Sequence, residues 1–308
     1  MADVKYDVLG IGNALFDVLV RTDEAFLAKH GMTKGSMSLI DEARAAAIYA
    51  DMGPATEVSG GSAANTIVGI GSLGARAAYV GKVKDDQIGK LYVHDIRAAG
   101  VAFNTPAAKD GPATGCSYIL VTADGERTMN TYLGAAQDLS PADIDPAEIA
   151  GAGIVYLEGY LWDPKDAKDA FLKAAKIAHD AKRKVALTLS DSFCVGRYRD
   201  EFLGLMRNGT ADIVFANESE LQSLYTTSDF DTALKQLRSD VNLGVVTRSE
   251  KGCVVVTPTD AVSAPASPIA QLVDTTGAGD LFAAGFLYGL ARDLSRSEEH
   301  TSELQSLV

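Results

Sequence analysis

The amino-acid sequence predicts an α/β fold, a layered sandwich around a mostly parallel central sheet with a small additional β lid. Three observations support this prediction. Six short apolar runs alternate with helical patterns, one segment alternates apolar and polar residues, and 47% of the 308 residues are hydrophobic. A chain of this length and composition can bury one large core together with a small accessory unit.

The apolar runs that predict strands are short and do not alternate with polar residues, which is typical of parallel strands buried on both faces. They cover residues 6–10, 77–81, 154–157, 185–189, 213–216 and 243–247. Between them the spacing of apolar residues predicts helices at residues 62–73, 85–99, 166–181, 218–225 and 230–239. This order of strands and helices predicts crossover connections and helices on both faces of one sheet.

Two segments interrupt the alternation, at residues 21–41 and 101–133. The second contains TGCSYILVTADGERTMNTYLG, in which apolar and polar residues alternate around Asp124 and Gly125. This pattern predicts a β-hairpin. A two-faced hairpin does not fit a sheet that is buried on both faces. We therefore predict a single domain of residues 1–295 with an inserted β lid at about 13–45 and 101–133.

Charge and composition argue against several classes of function. Twenty-eight Lys and Arg against forty-one Asp and Glu give a net charge of −13, which disfavours binding to nucleic acid or to an anionic membrane. The apolar stretch 281–291 is far shorter than the ~20 residues that span a bilayer. The three Cys and four His show no metal-binding spacing, and sparse Cys is typical of a reducing compartment, so we expect a cytoplasmic protein.

The end of the chain differs in character from the rest. Residues 296–306, RSEEHTSELQS, are polar and lack both glycine and an apolar stripe. The string resembles the translated product of a sequencing-library adapter. We therefore expect residues 296–308 to be a non-native tail that replaces a missing C-terminus, with a frayed polar tail as the alternative.

The most informative motif is DTTGAGD, Asp274 to Asp280, which directly precedes an apolar helical run. Gly277 and Gly279 allow the backbone around Ala278 to turn its N–H groups toward one point, where the helix dipole also favours an anion. At the helix start, Asp280 either only stabilises the helix or, beside a bound anion, takes a proton from an attacking hydroxyl. The residues themselves leave both alternatives open.

Two further motifs place small and polar residues where a hydroxylated ligand would suit them. GGSAANT opens a helix, where Gly61 allows close approach of a ring and Asn65 offers a donor and an acceptor. The alternative is an ordinary helix start capped by Ser62. GNALFD puts Asn13 and Asp17 just past the first strand, where open α/β sheets bind ligands. The alternative is a turn that these two residues stabilise.

In this order and spacing, the motifs resemble those of the PfkB family of ribokinase-like carbohydrate and nucleoside kinases, and the resemblance extends from Gly10 to Gly285. It implies a ribokinase-like three-layer sandwich and ATP-dependent phosphoryl transfer to an alcohol. Such transfer needs positioning and charge stabilisation, which agrees with the motifs. The resemblance implies a general base at Asp280, an anion hole at Gly277, Ala278 and Gly279, and acceptor binding by Asn13, Asp17, Gly61, Ser62 and Asn65.

The resemblance also implies a nucleotide side and a metal. Asn217 and Glu220 match the family's Asn-x-x-Glu motif, in which Glu220 would orient water on Mg²⁺. A capping interaction at the next helix is the alternative. Thr247 and Gly252, in a segment that resembles the family's nucleotide loop, and Thr275 are the expected ATP contacts. We therefore expect ATP and Mg²⁺ as cofactors.

Within the family, the segments GNALFD, GGSAANT, DGERT and LSDSF look closest to adenosine kinases and their bacterial relatives. This implies adenosine as acceptor with Phe193 stacked on the purine, and core packing is the alternative for Phe193. Arg127 would steady the transferred phosphate, with a solvated hairpin charge as the alternative. Leu39, Tyr160 and Trp162 are further candidates for the pocket wall.

Two other functions stay open at this point. One is a sugar kinase of the same family, of the ribose, fructose or ketodeoxygluconate type. The other, from a different class, is a non-catalytic nucleoside-binding protein that keeps the fold. The sequence also leaves open a monomer or a homodimer, because an exposed lid edge can pair with a second copy.

Overall fold

The computed structural model describes residues 4–268 and 277–293. Within these residues, fourteen strands form two sheets and ten α-helices surround them. The strands are β1 (Tyr6–Ile11), β2 (Leu15–Arg21), β3 (Met37–Leu39), β4 (Thr56–Gly60), β5 (Ala77–Val80), β6 (Ala102–Phe103), β7 (Cys116–Val121), β8 (Arg127–Tyr132), β9 (Ala152–Glu158), β10 (Lys184–Thr188), β11 (Ile213–Asn217), β12 (Leu243–Thr247), β13 (Cys253–Val256) and β14 (Ala261–Ala264). The helices are α1 (Glu24–Lys29), α2 (Glu42–Asp51), α3 (Ser62–Ser72), α4 (Gln87–Ala98), α5 (Pro146–Ala150), α6 (Lys165–Asp180), α7 (Ser192–Arg207), α8 (Glu218–Leu224), α9 (Phe230–Asp240) and α10 (Ala278–Ala291).

The large sheet has nine strands in the order β14-β13-β12-β11-β10-β9-β1-β5-β6. The seven strands from β12 to β6 are parallel, whereas β13 and β14 are antiparallel additions at one edge. All six strands predicted from the apolar runs are present, as β1, β5 and β9 to β12. Because parallel strands end at the same edge, the loops after β1, β9, β11 and β12 open on one side of the sheet.

Helices cover both faces of the large sheet, which confirms the predicted three-layer sandwich. On one face, α3, α4 and α10 pack in a core with Tyr79 and Phe215 of the sheet. On the other face, α6 to α9 form a second core around Phe171 and Phe202. Trp162, a candidate for the pocket wall, is buried in this second core, where it packs on both phenylalanines.

The small sheet has five strands in the order β3-β8-β7-β2-β4. The predicted hairpin is present, with antiparallel β7 and β8 joined by a turn in which Gly125 has a φ of +84°. Two boundaries differ from the prediction. β4 (Thr56–Gly60) lies outside both expected segments because its TEVSG sequence is short and half polar, and β6 (Ala102–Phe103) pairs with β5 in the large sheet.

The two faces of the small sheet have different neighbours. Phe16, Val18 and Val20 of β2 point to the face that α1 and α2 cover, where Leu27 and Ile48 pack against the sheet. The alternate residues, including Asp17, point to the opposite face. We call the small sheet with α1 and α2 the lid, and the face that carries Asp17 the lid face.

Candidate active site

The N-terminus of α10 carries the residues that were predicted to form an anion hole. Gly277 is its N-cap residue and adopts the left-handed conformation, with a φ of +71°, that glycine favours. The first hydrogen bond of the helix runs from the Leu281 N–H to the Gly277 carbonyl at 2.8 Å. The amides of Ala278, Gly279 and Asp280 therefore have no acceptor within the helix, and Gly279 is exposed. Such amides, at the positive end of a 14-residue helix, suit an anion.

The carboxylate of Asp280 is held by two side chains from the start of α3. The Ser62 hydroxyl donates to Oδ1 at 2.7 Å, and the Asn65 amide donates to Oδ2 at 3.2 Å. Burial raises the pKa of Asp280, and these two hydrogen bonds oppose the rise. A carboxylate with a raised pKa is a better proton acceptor. Ser62 does not cap α3 as the alternative reading expected, because the N-cap residue is Gly61, whose φ is +102°.

Asp17 lies in the same site as Asp280. It is the third residue of β2, and its Oδ2 is so close to Gly60 that a Cβ on that glycine would stand 2.1 Å from it. The pKa of Asp17 is raised to about 7, mainly by burial and also by the negative charge of Asp280, while the positive charge of Arg127 opposes the rise. The two carboxylates are therefore near enough to repel each other, and Arg127 is near enough to act on the same pocket.

Asn13 lies in the loop between β1 and β2 and is buried. Its amide Nδ2 donates to Oε1 of Glu158 at 2.7 Å, and its backbone N–H donates to the same oxygen at 3.3 Å. If Asn13 binds the acceptor as predicted, it does so while it donates these two hydrogen bonds to Glu158. Glu158 was missed by the sequence reading. The sequence signal for Glu158 was a single carboxylate at the end of an apolar strand. The same kind of placement had indicated Asp17 as a site residue.

Comparison with known proteins identifies the family. The family model described as pfkB family carbohydrate kinase matches residues 45–300. The chain belongs to the pfkB family. A solved adenosine kinase from Sinorhizobium meliloti is 56% identical with a TM-score of 0.90, covering 96% of this chain and 90% of that one. A probable sugar kinase from Rhizobium etli CFN 42 is 49% identical with a TM-score of 0.92, covering 99% and 92%.

A curated relative supports the same family. The ATP-dependent ribose-1-phosphate kinase of Halopiger xanaduensis is 33% identical over 237 residues, which are 74% of this chain and 72% of the relative. As a pfkB family member, the chain is a phosphotransferase with an alcohol group as acceptor, and kinases of this family use ATP. Among the described residues, no helix is long and apolar enough to cross a membrane.

The residues predicted for the nucleotide side of this pfkB family kinase lie at the carboxyl ends of β11 and β12. Asn217 and Thr247 are cross-strand partners there. Gly252 has a φ of +85°, and a Cβ on it would stand 2.0 Å from the Ala264 carbonyl. Arg248 fixes the same loop by an ion pair with Glu218 at 3.0 Å. Thr275, also predicted to contact ATP, lies outside the described residues.

Asn217 and Glu220 form the capping box that the sequence reading kept as an alternative. The Asn217 side chain accepts from the Glu220 N–H at 2.8 Å, and Glu220 Oε2 accepts from the Asn217 N–H at 3.0 Å. The pKa of Glu220 is raised to about 7, mainly by burial, with the backbone hydrogen bond from Asn217 opposing the rise and the charge of Asp191 adding to it. A water-mediated metal role for Glu220 would have to coexist with this helix cap.

Two residues predicted for the purine pocket are exposed and belong to different units. Phe193, at the start of α7, has 84% of its surface exposed, which excludes the core alternative. Leu39, on β3 of the lid, is 53% exposed. Tyr160 is half-buried, with its hydroxyl directed to the Ser190 carbonyl at 3.4 Å. The side chains of Phe193 and Leu39 are therefore accessible to a ligand.

Proposed function

We propose that this kinase transfers the γ-phosphoryl group of ATP to the 5′-hydroxyl of adenosine, giving AMP and ADP, a reaction of purine salvage. The observation that carries the proposal is the lid face, on which exposed apolar side chains stand in the same sheet rows as the acceptor carboxylate Asp17. A nucleoside has the matching chemistry, with vicinal hydroxyls on one ring and an apolar face on the other.

The register of the lid sheet defines these rows. Asp17 pairs with Val58 on one side and Ser117 on the other, and that row continues through Thr131 to Leu39. The next row on the lid face contains only apolar side chains apart from an edge threonine: Leu19, Ile119, Met129 and Met37, with Thr56 at the edge. Met37, Leu39 and Val58 are between 40% and 53% exposed. A free sugar has no apolar ring to cover such a surface.

In the proposed mechanism, Asp17 accepts hydrogen bonds from the vicinal ribose hydroxyls, assisted by Asn13 and the Gly61 backbone. The 5′-hydroxyl then lies beside Asp280, which takes its proton as the oxygen attacks the γ-phosphorus. The new O–P bond forms while the bond to the β-phosphate oxygen breaks, and ADP leaves. The amides of residues 277–279 and the Arg127 guanidinium stabilise the charge on the transferred group.

Two features of the site support ATP and Mg²⁺ as the phosphoryl donor and its metal. The amides of Ala278, Gly279 and Asp280 lack acceptors within α10, and Asn13, Asn217 and Thr247 lie at the carboxyl ends of β1, β11 and β12, on one side of the large sheet. β12 lies four strands from β1, roughly 19 Å at the usual strand spacing, which suits the extended form of a nucleoside triphosphate. Mg²⁺ would neutralise phosphate charge, and Glu220 with Asn217 would hold its water shell.

A sugar kinase is the second candidate, supported by the relatives described as a probable sugar kinase and a ribose-1-phosphate kinase. The test measures ADP release with adenosine, inosine, ribose and fructose in parallel, at matched ATP and Mg²⁺. We expect kcat/KM for adenosine to exceed that for ribose and fructose by at least ~100-fold. Preference for a free sugar would overturn the adenosine assignment, and adenosine binding in calorimetry without ADP release would favour the non-catalytic alternative.

A further inference from the structure

Glu158 ends β9 at the carboxyl edge of the large sheet and is almost completely buried. Three N–H groups donate to it from two different segments. Oε1 accepts the Asn13 amide at 2.7 Å and the Asn13 backbone N–H at 3.3 Å, and Oε2 accepts the Ala63 N–H at 3.0 Å. The carboxylate therefore joins the loop after β1 to the first turn of α3.

The loop is held closely on its other sides. The Tyr79 hydroxyl donates to the Asn13 carbonyl at 3.1 Å. A Cβ on Gly12 would stand 2.4 Å from Glu158 Oε2 and 2.7 Å from the Tyr79 oxygen. Asn13 is thus fixed at its N–H, its carbonyl and its side-chain amide. This loop has little freedom to relax if Glu158 changes.

Each joined segment leads directly to one carboxylate of the site. Asn13 precedes Asp17 by four residues, through the start of β2. Ala63 lies between Ser62 and Asn65, the two side chains that hold Asp280. Both oxygens of Glu158 already accept protein donors, so its chemistry suits holding these segments more than contacting the acceptor.

We propose that Glu158 is a positioning residue that sets the distance between the acceptor-binding carboxylate Asp17 and the base Asp280. The inference rests on the proposed roles of these two aspartates. It assigns Glu158 an effect on the acceptor alcohol and on the chemical step, and no effect on ATP binding, because the described residues expected to contact the nucleotide lie at or beyond the carboxyl ends of β11 and β12.

The test compares Glu158→Gln with wild type and with Asp212→Asn. Gln keeps the shape of Glu158 but turns an NH₂ group toward an N–H donor, so at least one hydrogen bond is lost. Asp212 is the matched control. It accepts from the Val185 N–H at 2.8 Å and contacts His179 at 2.9 Å, at the opposite end of the parallel strands. We expect Glu158→Gln to lower kcat/KM for adenosine at least ~10-fold with KM for ATP within twofold, and Asp212→Asn to leave both within twofold.

Equal kinetics in the two variants would overturn the inference, as would a rise of KM for ATP as large as that for adenosine. Should Glu158→Gln lack a cooperative melting transition, Tyr79→Phe decides, because it removes a different bond to Asn13 and leaves a buried ring in place. An unchanged kcat/KM for adenosine in Tyr79→Phe then overturns the inference. Failure of the proposed function would give a different result from failure of this inference. In that case the wild-type protein would not phosphorylate adenosine, or Asp280→Asn would keep its turnover.

Discussion

The hydroxyl of Ser62 donates a 2.7 Å hydrogen bond to Oδ1 of Asp280, between residues 218 positions apart in sequence. The bond fixes the orientation of the Asp280 carboxylate in the first turn of α10. It also lowers the pKa of Asp280, which burial raises. Because hydrogen bonds to the charged form favour it, the pair sets both where the base points and the pH at which it is ionised.

Ser62→Ala therefore shifts the pH dependence of activity. Loss of the hydrogen bond leaves burial less opposed, so the pKa of Asp280 rises and the acid limb of kcat/KM moves to higher pH. We expect kcat/KM to fall by a larger factor at pH 6 than at pH 8.5. The control is Ser72→Ala, which removes the hydroxyl bonded to the Gly69 carbonyl at the other end of α3. An acid limb at the wild-type pH would contradict the role of this bond.

Asp280→Asn removes the proposed base. We expect kcat to fall by roughly 10²–10⁴-fold, the usual contribution of a general base, with a cooperative melting transition retained. ADP release and thermal melting measure the two effects. Asp166→Asn, in the first turn of α6, is the matched control for loss of a carboxylate near a helix start. Turnover within tenfold of wild type would remove Asp280 from the mechanism.

Leu39→Ala tests the apolar lid face. A nucleobase over Leu39 would bury part of a side chain that is 53% exposed in the free protein, a contribution of about 1 kcal/mol or ~5-fold in KM. We expect KM for adenosine to rise by that factor with KM for ATP unchanged. Leu172→Ala on α6, where the leucine is 43% exposed, should change neither constant. Equal behaviour of the two variants would place the base elsewhere.

Asp17→Asn has a stability effect whose sign depends on pH. The folded pKa of about 7 lies above the ~3.9 of an unfolded Asp, so the folded protein binds the proton more tightly between these values. Ionised Asp17 therefore lowers the free energy of unfolding above pH 7, and this cost disappears as pH falls toward 4. The free energy of unfolding of Asp17→Asn, taken relative to that of wild type, should therefore be higher at pH 8 than at pH 5. The difference should be on the order of 2 kcal/mol, allowing for solvent screening.

Urea unfolding at the two pH values measures this change in the absence of ligands. KM for adenosine should rise at least ~10-fold in the same variant, because one carboxylate oxygen becomes an NH₂ donor and the side chain can no longer accept a hydroxyl at each terminal atom. A variant that loses stability equally at both pH values would show that Asp17 ionises as an ordinary surface carboxylate.

Much of the fold could be predicted because its signals are local. The strands β1, β5 and β9 to β12 are apolar runs, and the β7–β8 hairpin alternates around a Gly turn. The start of α10 was marked by Gly277, Gly279 and Asp280. β4 gave no such signal, because the short edge-strand sequence TEVSG is neither an apolar run nor a clear alternation of apolar and polar residues.

The sequence itself determined the glycine-rich start of α10, the carboxylates past the strand ends and the alternation of strand and helix. Each of these features depends on residues that are close to one another in the chain. Only the tertiary structure decided which groups meet. Ser62 turned from a cap into a partner of Asp280, Phe193 proved exposed, and Glu158 was found joining segments 145 and 95 residues away. Such contacts follow from packing in three dimensions. The sequence around a carboxylate does not show which distant N–H groups will donate hydrogen bonds to it.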